Sequence, residues 1–143
     1  MKKILFLLVV SFLILGCGIK RDNPLDPHAN NLAIPGDVSG FQYTAFSSGT
    51  STRYVEFYWN GNNPNDTDGY YIYRSLGYYN AYALVGSVPH VLGESTQQFT
   101  HSSADDNTVV AGLYYYRISA YKEYPAGKLE GRLSTPIPVR VPE

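Results

Sequence analysis

The sequence predicts an all-β sandwich that follows an N-terminal export segment. The composition favours strands, because the 14 tyrosines and the many Val and Thr residues fit the pleated, half-buried surface of a sheet. From Gly36 onward, short runs of alternating apolar and polar residues are separated by turn residues, which is the pattern of a sandwich. After residue 20 the sequence has no helical pattern of useful length.

Side-chain alternation identifies the residues that we expect in the core. In residues 54–59, the side chains of Val55, Phe57 and Trp59 share one face, because successive side chains of a strand point to opposite sides of the sheet. The runs at residues 69–74 and 112–120 follow the same rule. The predicted core is therefore Val55, Phe57, Trp59, Tyr70, Ile72, Tyr114, Tyr116 and Ile118.

The first residues have the pattern of an export signal. Lys2 and Lys3 form a basic start, and residues 4–15 are almost wholly apolar. This run is too short for a transmembrane helix, which needs roughly 20 such residues. An ordinary secretory signal that happens to end near a cysteine is the alternative interpretation.

The run Ile14-Leu15-Gly16-Cys17 resembles the lipobox of bacterial lipoproteins. The resemblance implies that the signal peptide, residues 1–16, is cleaved between Gly16 and Cys17, and that Cys17 carries a lipid that anchors the protein to a membrane. Two or three acyl chains hold a protein durably, since each buried methylene contributes about 0.8 kcal/mol. Gly18, rather than Asp, follows the cysteine. In a Gram-negative host this implies the outer membrane or the cell surface.

Residues 17–34 are predicted to form a lipidated cysteine and a flexible, extended tether. The segment has prolines and several Asn and Asp residues but no apolar period. It therefore has too little apolar surface to offset the entropy lost when a chain becomes ordered. The remaining residues, 35–143, are enough for one domain with one core.

Residues 35–143 resemble the fibronectin type III family. Trp59 matches the tryptophan of the family's second strand, and residues 133–141 match its last strand. Tyr114 matches the tyrosine corner, which implies a hydrogen bond from its hydroxyl to nearby backbone. The resemblance implies a seven-stranded, immunoglobulin-like β-sandwich. The loop before Tyr114 lacks the family's usual Pro-Gly pair, which leaves the strand register near residues 100–112 open.

The charged and titratable residues do not favour catalysis or nucleic-acid binding. The formal net charge is −1, and without Lys2 and Lys3 it is −3. His28, His90 and His101 lack metal-ligand spacing and are expected at the surface. A weak calcium site at residues 105–107 is the alternative to solvated loop acids, which the exposed position of adjacent acids favours. We expect no enzymatic activity, no cofactor and no metal site.

A second set of side chains is predicted on the outer face of the sheet. Alternation places Tyr71 and Tyr73 outward on one strand, and Tyr115 and Arg117 outward on a neighbouring one. Exposed aromatic side chains stack on sugars and anchor protein partners. The alternative is that these tyrosines only stabilise the sheet by cross-strand pairing, at about 0.2 to 1 kcal/mol per pair.

These observations predict a non-enzymatic, lipid-anchored protein of the cell envelope that binds a partner or acts as a spacer. Its expected partners are the membrane, through the lipid on Cys17, and an envelope protein or a glycan. A glycan-binding accessory module that uses the tyrosine face is the alternative. A small lipid-anchored enzyme is a further alternative, although the sequence has no recognisable catalytic turn.

Overall fold

A computed structural model describes residues 23–48 and 52–143 of the chain. The predicted signal peptide and the residues Gly16 and Cys17 lie outside the described residues. One turn of helix, α1 (Pro27–Asn30), precedes the strands. In chain order these are β1 (Gln42–Ser48), β2 (Thr52–Asn60), β3 (Gly69–Ser75), β4 (Ala83–Pro89), β5 (Thr96–Ser102), β6 (Gly112–Tyr124), β7 (Gly127–Glu130) and β8 (Ile137–Val141).

The strands form two antiparallel sheets, so the prediction of an all-β sandwich is confirmed. One sheet has the order β1-β2-β5, and the other has the order β4-β3-β6-β7 with β8 also paired to β6. Aromatic side chains join the two sheets: the Phe57 and Tyr116 ring centroids are 4.7 Å apart, and those of Trp59 and Tyr70 are 5.1 Å apart. All eight residues predicted for the core are buried.

The described residues form eight strands, whereas the sequence predicted seven. Strand β7 pairs with residues 121–124 of β6, and β8 pairs with residues 112–116 of β6. Both lie along the edge of β6 opposite to β3. Between them, side chains replace part of the ladder: Ser134 Oγ accepts a hydrogen bond from the backbone N–H of Ile118, and Arg117 Nε donates to the Ser134 carbonyl. Pro136 has no N–H to donate. A single strand along this edge of β6 is therefore interrupted, and its two parts are β7 and β8.

The described part of the predicted tether contains one turn of helix and contacts the sandwich. Asp26 caps α1, because its carboxylate accepts hydrogen bonds from the backbone N–H groups of His28 and Ala29 at 2.9 and 3.3 Å. The Tyr124 hydroxyl donates to the Ala33 carbonyl at 2.8 Å, and Leu25 lies against Gly127. Residues 23–34 are thus folded in part and contact the end of the sandwich that carries the β6–β7 turn.

Candidate functional site

The four residues predicted for the outer face lie together on neighbouring strands. Tyr71 and Tyr73 are on β3, and Tyr115 and Arg117 are on β6, where Arg117 lies directly opposite Tyr73. All four side chains are half-buried, although they point away from the core between the sheets. Other side chains must therefore cover them from the solvent side.

The half of this face formed by Tyr71 and Tyr73 is occupied by internal contacts. Tyr71 stacks on Tyr121 with 4.5 Å between the ring centroids, and Lys128 Nζ lies 4.2 Å from the Tyr121 centroid. The Tyr73 hydroxyl donates to Glu130 Oε1 at 2.8 Å. Burial, and then this hydrogen bond, raise the pKa of Tyr73. These contacts bind strand β7 to the sheet and leave little free ring surface.

The other half, Tyr115 and Arg117, is covered by the loop between β3 and β4. Tyr78 meets Tyr115 edge to face with 5.8 Å between centroids. Tyr82 lies under Arg117, with its ring centroid 5.4 Å from the guanidinium carbon, and its hydroxyl donates to the Tyr78 carbonyl. Burial raises the pKa of Tyr82. The loop is therefore folded back over the sheet and held by its own tyrosines.

A groove of about 850 Å³ opens beside this loop. Three segments meet there: residues 37–41 before β1, the β3–β4 loop, and the link between β7 and β8. Tyr79 is 94% exposed and Tyr78 is 46% exposed, so the accessible aromatic surface belongs to the loop and not to the strands. The lining residues that matter for binding are Asp37, Tyr78, Tyr79, Tyr82, Arg117 and Arg132.

The groove carries an unbalanced positive charge. Its charged lining residues are Asp37, Arg117 and Arg132, and the first and last of these form an ion pair. Arg117 donates to the backbone carbonyls of Ser134 and Leu133 at 2.7 and 3.4 Å. Within residues 23–48 and 52–143, it pairs with no carboxylate.

Sequence reasoning identified Arg117 but missed Tyr78, Tyr79 and Tyr82. The available signal was three tyrosines within five residues of a loop that also contains Gly77 and Asn80. Alternation assigns a direction to side chains in a strand, but it gives none to side chains in a turn. The cover over the outer face was therefore not predictable from periodicity.

The prediction that all three histidines lie at the surface is wrong for His101. This ring is 3% exposed and lies between the sheets, with Nε2 2.9 Å from Asp106 Oδ2 and Nδ1 3.1 Å from the Tyr116 hydroxyl. A neutral ring satisfies both contacts, since Nε2–H donates to the carboxylate and Nδ1 accepts from the hydroxyl. Burial lowers the pKa of His101 and raises the pKa of Tyr116 to about 12.

Asp106 is likewise a structural residue. Its carboxylate accepts from the Thr108 backbone N–H at 2.9 Å as well as from His101. Hydrogen bonds from Thr108, followed by that from His101, lower the pKa of Asp106. In the described part of the chain, no group of three or more His, Cys, Asp or Glu residues could hold a metal ion. These groups order the loop before β6.

The chain matches no known protein family and no curated protein. Among the residues that the structure describes, no helix has the length and apolarity needed to cross a membrane. The groove and its electrostatics are therefore the basis for assigning a function.

Replacing Tyr71 with Ser should destabilise the fold, whereas Tyr79→Ser should not. Tyr71 packs on Tyr121 and beside Lys128, so its loss should lower the free energy of unfolding by about 1 to 2 kcal/mol. Tyr79 is almost fully exposed, and its loss should change this free energy by less than about 0.5 kcal/mol. Urea unfolding of both variants measures the difference. Equal effects would contradict the assignment of Tyr71 to structure and Tyr79 to the free surface.

The free energy of unfolding should fall as the pH is lowered from about 7 to about 5. The folded protein keeps His101 neutral, but the unfolded chain takes up a proton near the ordinary histidine pKa of 6.5. This stability is present above that pKa and is lost as the pH falls toward the lower folded value. Urea unfolding at several pH values should show that His101→Gln removes most of the slope. An unchanged slope in this variant would refute the assignment, since His28 and His90 are present in both proteins.

Proposed function

We propose that the chain is a non-enzymatic lipoprotein of the cell envelope, whose fibronectin type III-like sandwich presents a binding groove away from the membrane. The observation that carries the proposal is that the N-terminal segment and the β3–β4 loop lie at opposite ends of β3. Leu25 and Ala33 contact the end formed by Tyr124 and Gly127. Strand β3 begins beside Tyr121, near that end, and its last residue, Ser75, precedes the loop.

Chain dimensions support this orientation. Leu25 lies eight residue steps after Cys17, and a fully extended chain spans at most about 3.5 Å per step. A lipid on Cys17 would thus keep the β6–β7 end within about 28 Å of the membrane surface. The β3–β4 loop lies one strand farther along the domain, roughly 20 Å at about 3.3 Å per residue.

The strand order supports the fibronectin type III resemblance. Strands β1, β2 and β5 face β4, β3 and β6, and β7 with β8 extend the second sheet on one edge. Trp59 is in the core, as the resemblance implies. Tyr114 is buried, but its hydroxyl makes no hydrogen bond among the described residues, and Arg74 lies over its ring instead. The hydrogen bond that the resemblance implies for Tyr114 is therefore not found among the described residues.

The polar groups support a binding role over an enzymatic one. His101 makes hydrogen-bond contacts with Tyr116 in the core and with Asp106 in the loop before β6, and none of the three lines the groove. Asp68 accepts from Lys122 Nζ and from the Glu123 backbone N–H, both at 2.8 Å, and these contacts lower its pKa. Each of these groups is engaged in holding loops and strands together, so a general acid or base facing the groove is not among them.

A glycan-binding accessory module is the second candidate, and the exposed rings of Tyr78 and Tyr79 favour it. Aromatic rings at the mouth of a groove offer apolar area with a polar tip, which suits a sugar ring that has both apolar faces and hydroxyl groups. In this interpretation the binding residues are mainly in the loop, and the predicted strand face serves as its support.

Replacing Cys17 with Ala should abolish lipid attachment, because the thioether that holds the lipid can no longer form. In the native host, we expect the wild-type protein in the detergent phase after Triton X-114 partitioning, and we expect the variant to carry no acyl group and to keep residues 1–16 uncleaved. Mass spectrometry of the mature amino-terminal peptide should find an acylated Cys17 as the first residue.

The matched control is Ser11→Ala, which changes the apolar run but leaves the lipobox intact. It should partition like the wild-type protein. A mature wild-type chain that retains residues 1–16, or one whose Cys17 carries no acyl group, would refute the lipid anchor.

A further inference from the structure

We propose that the groove binds an acidic saccharide, with the sugar rings against Tyr78 and Tyr79 and a carboxylate on Arg117. This inference rests on the proposed binding function of the same groove and adds the chemical class of its ligand. It depends on three observations: the unbalanced charge, the orientation of Arg117, and the type of surface that surrounds it.

The charge indicates an anionic ligand. Asp37 and Arg132 neutralise each other at the rim, where both are exposed, so the net charge of the lining is that of Arg117. Glu130, an acid on the same sheet face, accepts hydrogen bonds from Tyr73 and Ser119 at 2.8 and 2.5 Å. A half-buried cation without a counter-ion favours a ligand that brings a negative charge.

The protein fixes the Arg117 guanidinium but leaves some of its N–H donors available to a ligand. The Tyr82 ring supports one face of the guanidinium, and two backbone carbonyls fix Nε and Nη2. A guanidinium has five N–H donors, and Nη1 has no acceptor in the part of the chain that is described. A fixed guanidinium edge matches the two oxygens of a carboxylate, and ordering it costs the complex little entropy.

The surface around Arg117 favours a saccharide over a peptide. A peptide that binds by strand addition needs a free strand edge, but the groove is formed by two loops and the segment before β1. Tyr79 can present its exposed ring to a sugar face, while Asn80 and Thr135 supply hydrogen-bonding side chains nearby. Alternating rings and polar groups suit a ligand that is rich in hydroxyl groups.

The test compares an acidic saccharide with its uncharged ester and with an acidic peptide. The mature lipidated protein in detergent micelles is titrated with oligogalacturonate, with its fully methyl-esterified form and with polyglutamate, and binding is followed calorimetrically. Oligomers of alginate and hyaluronate widen the range of acidic sugars. We expect at least one acidic saccharide to bind about tenfold or more tightly than its ester, and polyglutamate to bind more weakly.

Substitutions test which residues are responsible for the difference in affinity between the acid and the ester. Arg117→Gln should remove the preference for the acid over the ester, and Tyr79→Ala should weaken binding of both forms about tenfold. Arg140→Gln and Leu92→Ala are matched controls outside the groove, since Arg140 is exposed and Leu92 is 74% exposed. Both controls should bind like the wild-type protein, and thermal unfolding checks that every variant is folded.

Three results would overturn the inference. Equal binding of acid and ester by the wild-type protein would leave glycan binding intact but exclude a role for the carboxylate, whether or not Arg117→Gln folds. Tighter binding of polyglutamate would indicate a peptide ligand. Binding of no saccharide would exclude both glycan proposals, while the lipid anchor, which is tested separately at Cys17, would stand.

Discussion

The arrangement of the molecule depends on the two-residue alternation along β3 and β6, the neighbouring strands at the middle of the larger sheet. Their fixed register places Tyr70, Ile72 and Tyr116 in the core and the intervening tyrosines outside. A slip of one residue would exchange the two sets. Gly69 helps to prevent it, because the Tyr121 ring crosses over Gly69 and a Cβ there would overlap this ring and the Val88 carbonyl oxygen.

This alternation has a consequence for binding. The outward tyrosines of the strands make a layer that β7 and the β3–β4 loop cover, so these rings stabilise the sheet. Loop tyrosines then form the surface that remains free. Arg117 belongs to both parts: it is fixed on β6 by the link between β7 and β8, and it faces the groove. The sheet therefore orients the charge, and the loop supplies the accessible aromatic area.

The strands and the core could be predicted from the sequence because burial imposes a period of two on residues such as Val55, Phe57 and Trp59. Features that depend on contacts distant in sequence could not. His101 faces inward with Phe99 on β5, but its hydrogen-bond partners Tyr116 and Asp106 have no signal in the sequence. Residues 23–34 contact the sandwich through Tyr124, and the interruption between β7 and β8 depends on side chains such as Ser134 and Arg117. None of these pairings has a local pattern.

The most direct test is to measure how fast each tyrosine of the folded protein is nitrated by tetranitromethane, with peptide mass spectrometry to assign the sites. Nitration needs an accessible phenolate, so Tyr79 should react fastest and Tyr78 next. Tyr71, Tyr73 and Tyr121 should react slowly, and Tyr70 and Tyr116 only on unfolding, since they are buried and the pKa of each is raised. Nitration of Tyr71 or Tyr73 as fast as Tyr79 would contradict the assignment of the strand tyrosines to structure and of the loop tyrosines to binding.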